Sequence, residues 1–195
     1  MCIRDSPSVG PLYEITDTLS IYSSYGTGFR PNSGIDANGN AFGPETSKSY
    51  EAGLRFVSPD NAITSSVAVY HMTKNGVLTA DPLNAGFSLA GGKARSRGIE
   101  ADLNAKLPLG FTLYATYAYT DAQWTKSALD PAFGLTINPG DPLINIPKHA
   151  GNLLVTKEFD AGNVGVFTVG GGVNAASKRL GETGYDFWLP GYTLV

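Results

Sequence analysis

GIEADLNAKL (residues 98–107) and, beyond the turn Pro108-Leu109-Gly110, FTLYATYAYT (residues 111–120) decide the fold. In the first segment Ile99, Ala101, Leu103, Ala105 and Leu107 alternate with Glu100, Asp102, Asn104 and Lys106. In the second, Phe111, Leu113, Ala115, Tyr117 and Tyr119 alternate with Thr112, Tyr114, Thr116, Ala118 and Thr120. A period of two sends successive side chains to opposite faces of a strand, and a tight turn between two such runs makes them an antiparallel pair. All the charge of the pair lies on one face. Each run spans ten residues, against ~5–6 in ordinary soluble sheets, and about ten is what a tilted strand needs to cross a bilayer.

The same alternation extends both ways along the chain. Leu19–Tyr25 places Leu19, Ile21 and Tyr25 together, and Tyr50–Phe56 sets Tyr50, Ala52, Leu54 and Phe56 against Glu51 and Arg55. Ile63–Met72 opposes Val67 and Val69 to Ser66, Ala68 and Tyr70. Further runs cover Ala150–Phe159 and Val164–Ala176, and another begins at Gly191, so about eight strands are expected. The connections alternate in length. Ser58–Asn61, Leu107–Gly110 and Asp160–Asn163 are tight, whereas Pro31–Pro44, Gly76–Gly92, Gln123–Ile146 and Arg179–Leu189 are long. A membrane barrel has short turns on one side and long loops on the other, a sorting for which a soluble sandwich has no reason. Connectors of this length in a compact structure imply function or partial order. The fold expected is all-β: a sector of an antiparallel transmembrane β-barrel, with Phe111 and Tyr119 bracketing the apolar face as aromatic girdles do.

Composition agrees. Charged residues make up 16% of the chain, well below the ~25% of soluble domains. Glycine is abundant at 24 residues and mean hydropathy is only -0.07, as strands between two solvents require. No apolar run approaches the ~18 residues of a transmembrane helix. The net charge of -3 argues against a nucleic-acid partner, whose polyanionic backbone demands a cationic surface. His71 and His149 have no second metal ligand nearby in sequence; they fit headgroup-level positions at strand ends. There is no G-x-S-x-G, and Gly170-Gly171-Gly172 lacks the Lys-Ser/Thr of a phosphate loop, so it reads as a bend in a strand. No cofactor is indicated.

Several segments resemble barrel strands of TonB-dependent outer-membrane receptors of the siderophore-receptor branch. They are Tyr22-Ser-Ser-Tyr-Gly-Thr-Gly-Phe-Arg-Pro31, Pro44-Glu45, Ser49-Tyr50-Glu51-Ala52-Gly53-Leu54, Lys74-Asn75-Gly76-Val77-Leu78-Thr79, Arg95-Ser96-Arg97-Gly98-Ile99-Glu100, Tyr117–Ala122, Ile146–His149 and Leu189–Thr193. Their order and spacing over nearly the whole chain carry the resemblance. One departure is Gly76, which separates an asparagine and a valine expected to be adjacent. The resemblance implies eight consecutive strands from the C-terminal half of a plugged, 22-stranded barrel that takes up ferric siderophore and is energised through TonB. Short turns would then be periplasmic and long links extracellular. It also implies an N-terminal plug and its TonB-contacting segment outside this sequence, and outer-membrane lipid around the wall.

On this reading Glu51, Arg55, Glu100, Asp102 and Lys106 face a hydrated lumen. Phe29, Arg30, Lys93, Arg95, Trp124, Phe133 and Arg179 lie in or near the long links, where cationic and aromatic groups suit an anionic ferric chelate. The competing assignment makes these groups an interfacial aromatic belt with basic residues meeting anionic lipid. A passive channel, either a porin or a complete small barrel, and an outer-membrane hydrolase using His149 are the alternative functions. Met1–Ser6, with the lone Cys2, resembles nothing downstream. These residues fit a translated sequencing adapter, which leaves 7–195 as the receptor segment, truncated at both ends.

Overall fold

The computed structural model describes residues 5–132, 134–184 and 187–195, which include no α-helix. Cys2 and Phe133 lie outside the described residues. The strands, in chain order, are β1 (Ser8–Val9), β2 (Leu12–Glu14), β3 (Leu19–Arg30), β4 (Glu45–Val57), β5 (Ile63–Ala80), β6 (Ser88–Leu107), β7 (Phe111–Trp124), β8 (Ala128–Leu129), β9 (Thr136–Ile137), β10 (His149–Asp160), β11 (Val166–Ala176), β12 (Arg179–Leu180), β13 (Trp188–Leu189) and β14 (Tyr192–Leu194). One antiparallel sheet runs β1-β3-β4-β5-β6-β7-β10-β11-β14, and its two ends do not pair with each other. β2 also pairs with β3, so β1 and β2 are two halves of one strand, interrupted at Gly10-Pro11 where proline has no N–H for the ladder. The sheet therefore has one more strand position than the sequence pattern suggested.

Register fixes the two faces, since directly paired residues share a side. One row runs Ile21, Leu54, Val67, Ala101, Tyr117 and Gly151 through consecutive strands. The opposite face carries Tyr22, Gly53, Ala68, Glu100, Ala118 and Ala150. Among the described residues no second layer covers either side of the wall. Val67, Val69, Leu54, Ile99 and Leu153 are between 44% and 53% exposed, a large apolar face that water would penalise. Two belts bound this face. At the tight-turn end Phe159 is paired with Phe167 and Phe111 with Lys157, whose ammonium stands 4.6 Å from the Phe111 ring centroid and 5.4 Å from that of Phe159. At the long-loop end Tyr25 and Tyr50 rings lie 5.0 Å apart, and the Tyr117 hydroxyl is 2.8 Å from His149 Nδ1. An apolar band between aromatic rows is what a barrel wall presents to lipid.

On the inward face two tyrosines lie across glycines on the neighbouring strand, Tyr22 over Gly53 and Tyr70 over Gly98. The Tyr70 hydroxyl donates to Thr120 Oγ1 at 3.2 Å and lies 3.3 Å from Ser96 Oγ, pinning the ring against the wall. At the tight turns Asn61 and Leu109 adopt positive φ of 55° and 64°, compact conformations that keep these connections short.

The strands climb further than the alternation alone suggested. β5 has 18 residues and β6 has 20, so the link expected at Gly76–Gly92 is mostly ladder, with only residues 81–87 connecting them. Gly76 is accommodated as a β-bulge. The β5–β6 register shifts between Asn75 and Val77, Gly76 has φ of 75°, and a Cβ there would stand 3.1 Å from the Pro44 carbonyl oxygen. The extra residue thus turns β5 at the rim without breaking the sheet.

Candidate functional site at the long-loop end

Above the bulge, in contrast to the bare wall, side chains become buried. Thr79 and Ile137 are each 1% exposed and Leu180 is 3%. Thr79 lies at the top of β5, and Ile137 and Leu180 in two different connections. β8 pairs with β5 and β9, the Asn145 amide donates to the Leu180 carbonyl at 2.7 Å, and Thr183 Oγ1 donates to Asp130 Oδ2 at 2.6 Å. These bonds tie parts of the Gln123–Ile146 and Arg179–Leu189 links to each other and to the top of β5 as a cap. In the Pro31–Pro44 link, Asn32 Nδ2 donates to the Gly43 carbonyl of the same link and to the Gly76 carbonyl at the β5 bulge, both at 2.9 Å.

At the inner edge of the mouth the carboxylate of Glu45, 7% exposed, accepts from Arg30 Nη2 at 3.0 Å and from Lys74 Nζ at 3.1 Å. Arg30 and Lys74 side chains remain 72% and 45% exposed. Two cations thus share one buried carboxylate, leaving a net positive, hydrated rim with donors free to reach an anion. Trp124, on the same face, packs its ring beside Gly92, where a Cβ would lie 3.0 Å from the indole. Arg179 donates from Nε to Asn145 Oδ1 at 2.7 Å and sits 5.8 Å from the Tyr192 ring. Beside this cluster a cavity of about 430 Å³ is lined by Asp121, Gln123, Lys148, His149, Lys178 and Trp188, with the Lys178 ammonium 5.1 Å from the Trp188 ring.

Of the candidates named from sequence, Arg30 and Trp124 share the inward face near the rim, and Arg179 lies in the cap. Phe29, Lys93 and Arg95 lie on the outward face: Phe29 pairs with Thr46, in the same parity as Tyr25, and Lys93 and Arg95 pair with Asn75 and Thr73, in the parity of Val69. The structure adds Glu45 and Lys74. Both lie in segments that carry the resemblance, but nothing in those segments marked them as site residues, because their association with Arg30 depends on pairings across three strands. In the exposed links, Asp36 accepts from the amides of Asn40 and Asn38, and Asp81 from the Asn84 side chain and the Leu83 amide; these donors hold both carboxyls below their ordinary range.

A one-layer antiparallel sheet with a lipid-suited exterior, a polar interior and a loop-capped mouth defines a wall segment of an outer-membrane-type β-barrel. Residues 4–195 match the family described as TonB dependent receptor-like, beta-barrel, and the chain belongs to that family. It is 36% identical over 191 residues to the metal-pseudopaline receptor CntO of Pseudomonas aeruginosa, covering 97% of this chain and 26% of that protein. It is 32% identical over 186 residues to the ferrichrome outer membrane transporter/phage receptor of Escherichia coli, covering 95% of this chain and 24% of that one. The solved structure of the siderophore receptor PiuA from Acinetobacter baumannii superposes with a TM-score of 0.79 at 26% identity, over 95% of this chain and 28% of PiuA. The chain spans about a quarter of the length of the curated relatives it matches.

Proposed function

We propose that this chain is a sector of an outer-membrane receptor that takes up a ferric siderophore, with energy delivered through TonB. The observation that carries the reading is the apolar outward band between two aromatic belts, backed by a polar inner face that ends in a cationic rim. The family and the receptor names of its relatives support the same class. Wall strands at both ends of an open sheet have unpaired backbone groups, which lipid does not tolerate. The reading therefore includes further strands, an N-terminal plug and its TonB-contacting segment from sequence outside this chain, with outer-membrane lipid around the barrel. It treats Met1–Ser6 as adapter-derived and residues 7–195 as receptor; genomic sequence running in frame through those codons would reject that division.

In this scheme the wall does no bond chemistry. Its strands satisfy one another's N–H and C=O groups and form a rigid frame. Arg30 and Lys74 draw a negatively charged chelate to the rim, Trp124 and Arg179 offer stacking and directed donors, and the plug opens the path below. The test uses the complete receptor gene carrying this segment. Its deletion abolishes radio-iron uptake from the cognate chelate, and deletion of TonB does the same. Uptake that persists without TonB would replace this reading with a passive channel. Hydrolase activity lost on His149→Ala would replace it with an enzyme.

A further inference from the structure

The β4–β5 ladder stops one residue short of the rim. Its last pair is Thr46 with Asn75, and at Gly76 the bulge turns the chain away. Glu45 therefore stands one position above the last β5 partner, held in the sheet by its pairing with Arg30 on β3. A backbone carbonyl left out of a ladder needs another donor. At Gly76 the donor is Asn32, two residues beyond Arg30, whose Nδ2 reaches both the Gly76 and the Gly43 carbonyls at 2.9 Å. The three segments joined by this one amide are those that carry the rim charges. Gly43 lies two residues before Glu45, and Gly76 two residues after Lys74.

The link that Asn32 anchors is stiff in its own right. Pro31 and Pro44 restrict its two ends. Ile35 and Ala41 form a bridge, the Asp36 amide donates to the Asn40 carbonyl at 2.8 Å, and a Cβ on Gly34 would lie 3.4 Å from the Phe42 ring. This short hairpin stands directly on the Arg30–Glu45 pair. Among the described residues, the bond from Asn32 to Gly76 is the one hydrogen bond that runs from the hairpin to β5. The seam beneath it is tight. A Cβ on Gly76 would stand 3.1 Å from the Pro44 carbonyl oxygen and 3.6 Å from Glu45 Cα.

We propose that Asn32 is the positioning residue of the rim. Its amide closes the gap left by the Gly76 bulge, locks the hairpin to β5, and holds Arg30 and Lys74 at a fixed separation on the Glu45 carboxylate. Glu45 engages Arg30 through Nη2 and Lys74 through Nζ, and both side chains stay exposed. Their remaining N–H groups are therefore open to a second carboxylate or similar oxyanion. Two cations already held in place lose less freedom on binding than two mobile side chains. The proposal rests on the reading of Arg30 and Lys74 as the groups that capture an anionic chelate.

The complete receptor in detergent is treated with an amine-acylating reagent, and mass spectrometry follows each lysine. Asn32→Leu keeps the size of the side chain and removes its donors. It should speed acylation of Lys74 about two- to fivefold, as loosening of an exposed ion pair does, with the exposed Lys48 and Lys93 unchanged. Gly76→Ala disturbs the other end of the same bond and should act alike, which keeps the test decisive if one variant assembles poorly. Citrate, the anionic probe, should slow Lys74 acylation in the parent, with protection about two- to fivefold weaker in either variant. Unchanged Lys74 reactivity in both variants, a rise shared by Lys48 and Lys93, or citrate protection no greater in the parent than in the variants would overturn the assignment. Acylation requires no uptake, so a receptor whose uptake persists without TonB would refute the transport reading and leave the Lys74 result standing.

Discussion

Gly98 and Gly53 both lie beneath an inward tyrosine, yet replacing them should have very different consequences. At Gly53 an added Cβ would meet the Tyr22 ring at 2.6 Å, and the ring is the far end of a side chain that can swing into the lumen. At Gly98 the added carbon would collide with the main-chain carbonyl oxygen of Tyr119 on β7, as well as the Tyr70 ring at 2.8 Å. That oxygen belongs to the ladder and moves only if β6 and β7 part. Overpacking of this kind costs about 1–3 kcal/mol. Loss of one ladder hydrogen bond adds about 0.5–1.5 kcal/mol. Gly98→Ala should therefore destabilise the complete receptor by ~2–4 kcal/mol, and Gly53→Ala by ~1 kcal/mol or less, the loss of part of one ring's packing. Equilibrium unfolding in urea with detergent or lipid vesicles, followed by tryptophan emission and by heat-modifiable gel mobility, reads both values. Equal losses for the two variants, or a Gly98→Ala protein as stable as its parent, would refute the argument that the backbone clash decides.

Further tests probe the faces and the loops. Val67→Arg, outward in the apolar band, should cost about 2–4 kcal/mol, while inward Thr116→Arg should change stability by less than about 1 kcal/mol; the same unfolding assay compares them. Tyr70→Phe keeps the ring over Gly98 but removes its bond to Thr120, for a loss of about 0.5–1.5 kcal/mol, and a Tyr70→Phe/Thr120→Val cycle isolates that pair. The hydrogen-bonded carboxyls of Asp36 and Asp81 should titrate below the ordinary 3.8. A depressed carboxyl stabilises its loop fully above its unfolded value and loses that contribution as pH falls through the folded one. NMR of the Asn40 and Leu83 amides should therefore show both turns intact at about pH 5 and loosening only below about pH 4; a midpoint above the ordinary value would contradict these bonds. Arg30→Gln and Lys74→Gln should each weaken binding of an anionic chelate about two- to fivefold, with a shallower salt dependence; fluorescence quenching on titration with chelate measures this.

The wall was legible because lipid and water impose a rule that each strand obeys by itself. Ile99 to Leu107 and Phe111 to Thr120 announce both face and length without reference to any partner. The strand at 8–14 escaped notice because Pro7, Gly10 and Pro11 break the alternation that would have signalled it, and only β3 shows that both halves belong to one position. Lys93 and Arg95 looked like loop residues because Gly91 and Gly92 precede them, although the alternation Lys93-Ala94-Arg95-Ser96-Arg97 already carried their outward parity. The mouth was harder. Glu45 meets Lys74 only through the pairing of β4 with β5, and Arg30 only through β3. Such contacts are set by register across the sheet, which no short stretch of sequence contains.

Beyond the lipid-facing wall the connection holding Ile137 and the connection holding Leu180 are bonded to each other, and the first is also paired with the top of β5. Diversification of this receptor surface must then proceed in blocks. Either connection transplanted alone from a relative would arrive without the partners it bonds to, whereas the two moved together with the upper end of β5 would keep their mutual fit. The Pro31–Pro44 segment, moored chiefly through Asn32, is the piece most readily exchanged by itself.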